Sequence, residues 1–244
     1  MMEKFTPLAD LHTHTIVSGH AYSSLQEMAQ AAAEKGIRLL GVTEHGPAIP
    51  GTCGRLYFKN MIVIPREMYG VRLLLGAELN ILNHHGDLDA DDKLMEMLDL
   101  RIAGIHSVCW NGGTKLQNTE GVTRVIGDPR IHIISHPADG SAELDFESLV
   151  IAAKNNHTLL EINSHSLHPA RHKTIARSNN IALLELCKKH DMPVILGSDA
   201  HISFQIADYS NVFPLLVETK FPNELILNDK PEELIGFLGL PEYN

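Results

Sequence analysis

Residues 23–45, SSLQEMAQAAAEKGIRLLGVTEH, contain an amphipathic segment followed by a short apolar run. The apolar side chains of the first part recur at helical spacing and predict a helix from residue 23 to residue 36. Ser24 and Glu27 have the spacing of a capping box, and Gly36 is a suitable helix stop. The run IRLLGVTEH, residues 37–45, is typical of a strand buried on both faces. This stretch therefore predicts one helix-and-strand unit of an α/β fold.

Similar units follow one another along the chain. Apolar runs predict six further strands at residues 8–13, 71–82, 100–106, 131–137, 158–165 and 194–201. Further helices are predicted at residues 90–99, 145–156, 178–190 and within the tail 230–244. Seven units in succession favour a parallel barrel over an open doubly wound sheet, and no glycine-rich phosphate loop follows the first strand. We therefore expect a single α/β domain spanning residues 1–244.

The composition is that of an ordinary globular protein, with 44% apolar and 20% charged residues among 244. Acidic residues exceed Lys and Arg by ten, which argues against a general nucleic-acid binder. We expect no membrane partner and a cytoplasmic location, because neither a signal peptide nor a membrane span is recognisable. Cys53, Cys109 and Cys187 are odd in number and widely spaced, so we expect idle thiols.

Histidine is the residue type that stands out, with 15 copies, and it is the commonest metal ligand. Side chains that can bind a metal follow the predicted strands: His12, His14, His45, Glu78, His106, His136, Asp199 and His201. His20 lies on the loop after the first strand. The carboxyl ends of parallel barrel strands open on one rim, so these side chains should converge. Nine potential ligands exceed the four that one tetrahedral ion takes.

Local spacing supports a metal centre. His12 and His14 are two residues apart in a predicted strand, so both side chains should point to one face, and the same holds for Asp199 and His201. Glu78 follows the apolar run LLLGA, where an unpaired carboxylate would be costly. A metal ion would satisfy that carboxylate without a pKa shift.

The other histidines receive different interpretations. Structural positions are predicted for six of them: a solvated turn for His84 and His85, a strand for His132, and surface helix or cap positions for His157, His172 and His190. His165 and His168 follow the sixth predicted strand, and together with Arg171 they could reach the mouth of the pocket as substrate contacts.

Five motifs occur in an order that resembles a known family: DLHTH, TEH, GAELN, SHP and GSDAH. They span nearly the whole chain and are similar to those of the PHP family, named for polymerase and histidinol phosphatase. The segments HAYSS, NMIVIPR, IAGIH, HIISHP and LEIN look closest to the YcdX-type phosphatases. One departure is Glu44, where the family often has Asp. If this carboxylate orients His45, its longer side chain could alter the third metal site.

The resemblance implies a distorted (β/α)7 barrel with three divalent ions, zinc before manganese, iron or nickel. The ligands would be divided as follows: His12, His14, Glu78 and Asp199 on one ion, Glu78, His106 and His136 on a second, and His20, His45 and His201 on a third. Relatives of this branch are described as trimers, which implies a homo-oligomer here.

Such a centre suits phosphate chemistry. Three divalent ions among two carboxylates and seven neutral imidazoles leave a net charge of about +4, which attracts a small phosphorylated substrate. Water between two ions that share Glu78 would lose its proton near neutral pH, since its pKa falls from about 15.7 to about 7, and would supply a hydroxide nucleophile. The candidate catalytic residues are Glu78, Asp199 and His201. The sequence thus predicts a metal-dependent hydrolase of small-molecule phosphomonoesters.

Three alternatives remain. A PHP-type phosphodiesterase or nuclease would need a basic groove or stacking aromatics, which the acidic balance and the single Trp110 disfavour, so no nucleic-acid partner is expected. An amidohydrolase commonly bridges its metals with a modified Lys, whereas Glu78 fills that position here. A non-enzymatic metal-binding protein would hold coordinatively closed ions. The sequence does not name the substrate, because the loops at residues 46–58 and 107–117 carry no recognisable motif.

Overall fold

The computed structural model describes residues 5–240 of the chain. Its strands are β1 (Ala9–Asp10), β2 (Leu39–His45), β3 (Glu67–Met68), β4 (Val71–Asn80), β5 (Leu100–Gly104), β6 (Ile133–Ile134), β7 (Leu159–Asn163) and β8 (Val194–Gly197). Its α-helices are α1 (Leu25–Glu34), α2 (Arg55–Asn60), α3 (Asp92–Met95), α4 (Lys115–Ile126), α5 (Phe146–Asn156), α6 (Ala176–Lys189), α7 (Phe213–Thr219) and α8 (Pro231–Phe237). Residues 1–4 and the last four residues of the predicted tail lie outside the described part.

Seven parallel strands form the sheet in the order β1-β2-β4-β5-β6-β7-β8, and the short β3 pairs antiparallel with β4 off this path. Strand order follows chain order, as expected when each strand is followed by a crossover that packs on the outside. The predicted seven-unit α/β barrel is confirmed. Of the helices in residues 5–240, none is long and apolar enough to cross a membrane.

The barrel closes where β8 meets β1, and it does so in two different ways. Near the carboxyl ends a parallel bridge joins Thr13 to Ala200, and the amide of His14 donates to the carbonyl of Ala200 at 2.9 Å. At their amino ends, no pairing joins β1 to β8 among the described residues. There Asn228 fills the gap, since its side-chain amide donates to the carbonyls of Ala9 and Leu196 and its oxygen accepts from the amide of Leu196.

Two apolar layers surround the strands. The larger lies between the strands and the helices outside them. The smaller lies inside the barrel at the beginnings of the strands and includes Ala9, Leu39, Leu100, Leu159 and Ile195, which pack with side chains of α8. Buried polar side chains such as Glu78 and Glu161 occupy the carboxyl halves of the strands. The barrel is therefore a dry core at one end and a polar site at the other.

Several boundaries differ from the prediction. The strands predicted at residues 8–13 and 131–137 are reduced to two residues each in β1 and β6, because the chain turns early toward the rim. The helix predicted at residues 90–99 is the single turn α3, and α2, α4 and α7 were not predicted. The capping box of α1 is confirmed: the Glu27 carboxylate accepts from the Ser24 amide at 2.7 Å. Gly36 follows the helix with a φ of 76°, which confirms the predicted stop.

Candidate metal centre

All nine side chains predicted as ligands converge at the carboxyl end of the barrel, and Glu78 of β4 stands at their centre. Its Oε1 lies 2.8 Å from Nε2 of His136 and 3.3 Å from Nε2 of His106. Its Oε2 lies 2.8 Å from Nδ1 of His45. Only 1% of Glu78 is exposed. One carboxylate thus faces imidazoles from three other strand ends, the arrangement expected of a group shared between cations.

Asp199, which follows β8, is the second carboxylate around which histidines gather. Its Oδ1 lies 3.2 Å from Nε2 of His14, 3.6 Å from Nε2 of His12 and 3.4 Å from Nδ1 of His201. The Nε2 atoms of His12 and His14 are 3.0 Å apart. The two residues therefore point to one place, as their spacing predicted, even though β1 ends before them.

The third part of the cluster lies at its open edge. Nε2 of His20 is 3.1 Å from Nε2 of His45, and the rings of His20 and His201 have centroids 4.9 Å apart. Among residues 5–240, three overlapping groups have all their ligand atoms within 4.8 Å of one another. They are His12, His14 and Asp199; His45, Glu78 and His106; and His14, His45 and His201. Only the first falls within a predicted site. In the second group His45 replaces the predicted His136, and in the third His14 replaces the predicted His20.

The donor atoms fit metal ions better than they fit one another. Four buried atoms of this cluster form no hydrogen bond of acceptable geometry among the described residues: Nδ1 of His45, Oε2 of Glu78, Nδ1 of His106 and Oδ1 of Asp199. Nδ1 of His45 and Oε2 of Glu78 lie only 2.8 Å apart, so they are crowded together without being aligned for a hydrogen bond. Buried polar atoms are normally paired, because an unpaired one costs about 1–3 kcal/mol. Imidazole nitrogens and carboxylate oxygens point into one small volume here, and these are the ligand atoms that zinc and similar divalent ions bind.

Electrostatics in the metal-free cluster follow from this crowding. Burial alone would raise the pKa of Glu78, but the imidazoles of His106 and His12 outweigh it and hold that pKa well below its usual value. The pKa of Asp199 is lowered in the same way, since burial is outweighed first by His12. Both carboxylates are therefore anions ready to bind cations.

The histidines divide into two kinds. Burial opposes the charge on His12, yet Glu161 and Glu78 outweigh it and raise its pKa well above the usual value. Burial likewise opposes the charge on His136, but its hydrogen bond to Glu78 raises its pKa to about 9. His14, in contrast, has its pKa lowered well below the usual value by burial and by its neighbour His45. In the metal-free chain, His12 and His136 are therefore protonated, and their positive charges balance the neighbouring carboxylates.

Two of the predicted ligands have an unusual backbone. His136 has a φ of 33° and Asp199 a φ of 52°, in the left-handed region that residues other than glycine seldom adopt. Each follows a short strand by two residues, so the chain bends there and carries the side chain inward. Such conformations cost roughly 1–3 kcal/mol and persist where the surroundings enforce them.

Glu161 of β7 is a site residue that the sequence analysis did not single out. Its Oε1 lies 2.7 Å from Nδ1 of His12, and its Oε2 accepts the amide of His136 at 2.7 Å. Asn163 donates to both Glu161 and Asp199. The available signal was an acidic residue in the middle of the buried run LLEIN. Gly197 leaves the room for this carboxylate, because a Cβ there would lie 1.7 Å from Oε1 of Glu161.

Glu44 does not contact the imidazole of His45. Its carboxylate accepts from the hydroxyls of Thr15 at 2.5 Å and Ser18 at 2.6 Å, and from that of Tyr57 at 3.3 Å. The hydroxyl of Ser18 lies 3.3 Å from Nδ1 of His14 and accepts the amide of His45. The longer carboxylate therefore acts on the turn at residues 15–18 and, through Ser18, on His14.

A cleft of about 470 Å³ opens above the cluster. Its floor includes five of the predicted ligands: His20, His45, His106, His136 and Asp199. The loops after β2 and β5 contribute the apolar Ile49, Pro50 and Val108, and the loops after β6 and β7 contribute the polar and charged Asp139, Ser141, His165, Ser166, Arg171 and Lys173. The position of the cleft indicates where a substrate would reach the cluster.

Of the three residues predicted as possible substrate contacts, two line the cleft and one does not. His165 lines the cleft and stacks on His201 with ring centroids 5.3 Å apart, and burial lowers its pKa to about 4. Arg171 also lines the cleft. His168 is not among the lining residues, and its Nδ1 instead accepts the amide of Ala170. Lys173, which the sequence analysis did not name, lines the cleft in an ion pair with Asp139.

The remaining histidines take structural positions as predicted, except that His132 directly precedes β6 and does not lie in a strand. His84 and His85 lie in the turn after β4, and His85 is exposed. His132 is buried beside Arg101, away from the cluster. The other three end helical segments as C-caps: His157, His172 and His190.

Known proteins resemble this chain in sequence and in fold. A probable phosphatase of Clostridium acetobutylicum is 41% identical over 231 residues, which cover 95% of this chain and 94% of the relative. The structure of histidinol phosphate phosphatase from Lactococcus lactis, complexed with zinc, L-histidinol and phosphate, has a TM-score of 0.60 at 15% identity and covers 88% of this chain and 95% of that chain. A chain in archaeal ribonuclease P with mature tRNA has a TM-score of 0.55 at 16% identity, covering 95% and 90% of the two chains.

These two structural likenesses show the shared fold alone. The family model of the PHP domain matches residues 10–191, which include all the predicted ligands except Asp199 and His201. The relative from Clostridium spans nearly the same length as this chain. The chain therefore belongs to the PHP family.

Proposed function

We propose that this protein is a metal-dependent phosphatase that hydrolyses phosphomonoesters of small molecules at a centre of three divalent ions. The observation that carries the proposal is the convergence of seven imidazoles and the Asp199 carboxylate around Glu78, with four buried donor atoms that form no hydrogen bond of acceptable geometry. The probable phosphatase of Clostridium acetobutylicum, which aligns over nearly the full length, supports the reaction class.

The ions would be held as the family resemblance implies. One would bind His12, His14 and Asp199, a second His106 and His136, and a third His20, His45 and His201, with Glu78 shared between the first two. Bound divalent ions would supply Lewis acidity, which lowers the pKa of water toward neutrality and offsets the charge of a phosphate. Zinc is the proposed metal, because imidazole suits it and the structure from Lactococcus lactis contains it. Manganese, iron and nickel are the alternatives.

The side chains around the proposed ions would orient the ligands and exclude water from the site. Glu161 fixes the tautomer of His12, because the contact to Nδ1 leaves Nε2 to face the cluster. Asp199 lines the floor of the cleft and would hold the first ion there, while His201 and the stacked His165 would shield that side from solvent. The apolar Ile49 and Val108 would contact the organic part of a substrate.

We also propose that the protein is a cytoplasmic homo-oligomer, and a trimer is the form that the family resemblance implies. Its three cysteines are free thiols, as expected in a reducing compartment. Leu56, Ile62 and Val63 are exposed side by side on the segment around α2, an apolar surface of the kind that subunits bury. Light scattering after size exclusion gives the mass directly, and a monomer would contradict this assembly.

The test of function uses protein purified without a chelator or a metal-affinity column. We expect about three equivalents of divalent metal by elemental analysis, and release of inorganic phosphate from p-nitrophenyl phosphate and from sugar, nucleotide and amino-acid phosphates. Bis(p-nitrophenyl) phosphate is the control. Faster hydrolysis of the bis-ester would instead favour a phosphodiesterase, and metal-replete protein that hydrolyses neither ester would contradict the proposal.

A further inference from the structure

The charged part of the cleft contains two cationic side chains with different surroundings. Lys173 forms an ion pair with Asp139, a carboxylate that is only 5% exposed and also accepts from the amide and hydroxyl of Ser141. The positive charge of Lys173 is therefore neutralised by a carboxylate of the protein. Arg171 lines the same cleft and has no ion pair with any carboxylate in residues 5–240.

Local structure holds Arg171 at this place. Residues 169–171 form a short 3-10 helix with Pro169 at its start, and the imidazole of His168 caps it by accepting the amide of Ala170. The amide of Arg171 donates to the carbonyl of His168 at 2.9 Å, and His172 ends the segment with a left-handed φ of 53°. Proline, a cap and a fixed turn reduce the conformations that the segment must lose on binding a ligand.

Arg171 is exposed at the cleft and forms no ion pair among residues 5–240; Arg124 forms none either, but it does not line the cleft. Guanidinium binds carboxylate or phosphate in bidentate fashion. The phosphate to be hydrolysed already has the cations of the metal centre at the cleft floor. A cation on the cleft wall is therefore available to an anion elsewhere on the same substrate.

We propose, resting on the proposed function, that the natural substrate is a phosphomonoester with a second anionic group, a carboxylate or another phosphate, and that Arg171 binds this second group. The carbon skeleton between the two anions lies against Ile49, Pro50 and Val108, and the cleft of about 470 Å³ limits it to a small molecule. The contact is made before the reaction and persists through it, so Arg171 contributes to binding and specificity.

Matched pairs of compounds isolate the second anion. O-phosphoserine and O-phosphoethanolamine differ by one carboxylate, and so do the non-hydrolysable 3-phosphonopropionate and propylphosphonate. For the metal-replete protein we expect kcat/KM about tenfold higher for phosphoserine and a Kd about tenfold lower for the phosphonopropionate, differences that shrink as salt is added. Calorimetry with the phosphonates measures binding whether or not the protein turns over any ester.

Arg171→Gln should abolish both preferences, chiefly through KM, while the values for phosphoethanolamine and propylphosphonate change less than about twofold. Arg171→Lys should retain part of the preference. Arg177→Gln is the matched control, because Arg177 pairs with Glu218 on the surface outside the cleft and its loss should change nothing. Equal affinity of the wild type for both phosphonates would overturn the inference, as would a loss in Arg171→Gln that is the same for both members of a pair. Absence of turnover with the binding preference intact would instead count against the proposed phosphatase activity.

Discussion

Glu161 and His12 form a buried pair in which Oε1 of the carboxylate lies 2.7 Å from Nδ1 of the imidazole, across the barrel from β7 to the end of β1. The same carboxylate accepts the backbone amide of His136, so one side chain orients two predicted metal ligands. A carboxylate behind a ligating histidine fixes its tautomer and raises its basicity.

Glu161→Gln should therefore weaken metal binding while leaving the fold intact. We expect the affinity for the most strongly affected ion to fall about 10- to 100-fold, the range typical of such partners. Competition with a chromophoric chelator measures it, and circular dichroism checks the fold. Glu147→Gln on the surface of α5 is the control, because Glu147 pairs with Lys189 and His190, neither of which belongs to the cluster. Equal chelator competition for both variants would contradict the role of Glu161.

Glu78→Gln should reduce the metal content itself. The carboxylate is the shared contact of His45, His106 and His136, and an amide offers one neutral oxygen in place of two anionic ones. We expect elemental analysis to find at least one equivalent less metal and phosphatase activity to fall by roughly 10³-fold or more. Retention of the full metal content would exclude a bridging Glu78.

Removal of the metal should lower the stability of the folded protein. Without ions the cluster keeps buried donor atoms unpaired, and ions that bind only the folded chain stabilise it by about 4 kcal/mol per site at 1,000 times Kd. We expect thermal unfolding to shift to lower temperature with chelator and to recover when zinc is restored. An unchanged unfolding temperature would mean that the cluster binds no ion tightly.

Metal uptake should release protons and strengthen with pH. In the metal-free chain the pKa of His136 is about 9 and that of His12 is well above its usual value, so both imidazoles carry a proton at neutral pH. An ion needs the neutral form, so affinity should rise by up to tenfold per pH unit for each proton displaced below that pKa. Calorimetry in buffers of different ionisation enthalpy counts these protons. Binding that is independent of pH between about 6 and 8 would contradict the protonated state.

His132 predicts a separate acid sensitivity that does not involve the metal centre. Burial, with Arg101 adding to it, lowers the pKa of His132 to about 3 from 6.5. Between these values the unfolded chain binds a proton that the folded chain does not, so stability should fall by up to about 1.4 kcal/mol for each pH unit below 6.5. His132→Asn, which keeps an acceptor for the amide of Arg101, should flatten this slope in metal-free protein. His157→Asn, at an exposed helix cap, should leave it unchanged.

The fold was predictable because its signals are local. The capping box of Ser24 and Glu27 and the apolar period of α1 depend on neighbouring residues, and the repetition of such units leaves few topologies. The convergence of Glu78 with His136 was predictable for a related reason, since all parallel strands end at one rim. The division of ligands among ions remains a prediction.

What could not be predicted depends on contacts between distant parts of the chain. Glu161 reads in the sequence as one acid in an apolar strand, and only the barrel brings it to His12, 149 positions away. The early end of β6 coincides with left-handed backbone at His136, which no propensity for histidine indicates. Likewise, nothing local separates Arg171, which lines the cleft, from His168, which does not.

The seam between β8 and β1 determines when the site can exist. His12 and His14 stand on one side of it and Asp199 on the other, and Asn228, close to the end of the chain, holds the two sides together at their base. A nascent chain that has not yet emerged from the ribosome as far as Asn228 thus lacks the side chain that connects β1 to β8 below the cluster. We therefore expect the proposed ions to bind only late in synthesis, and a truncation that removes Asn228 and the residues after it to weaken metal binding at the opposite end of the barrel.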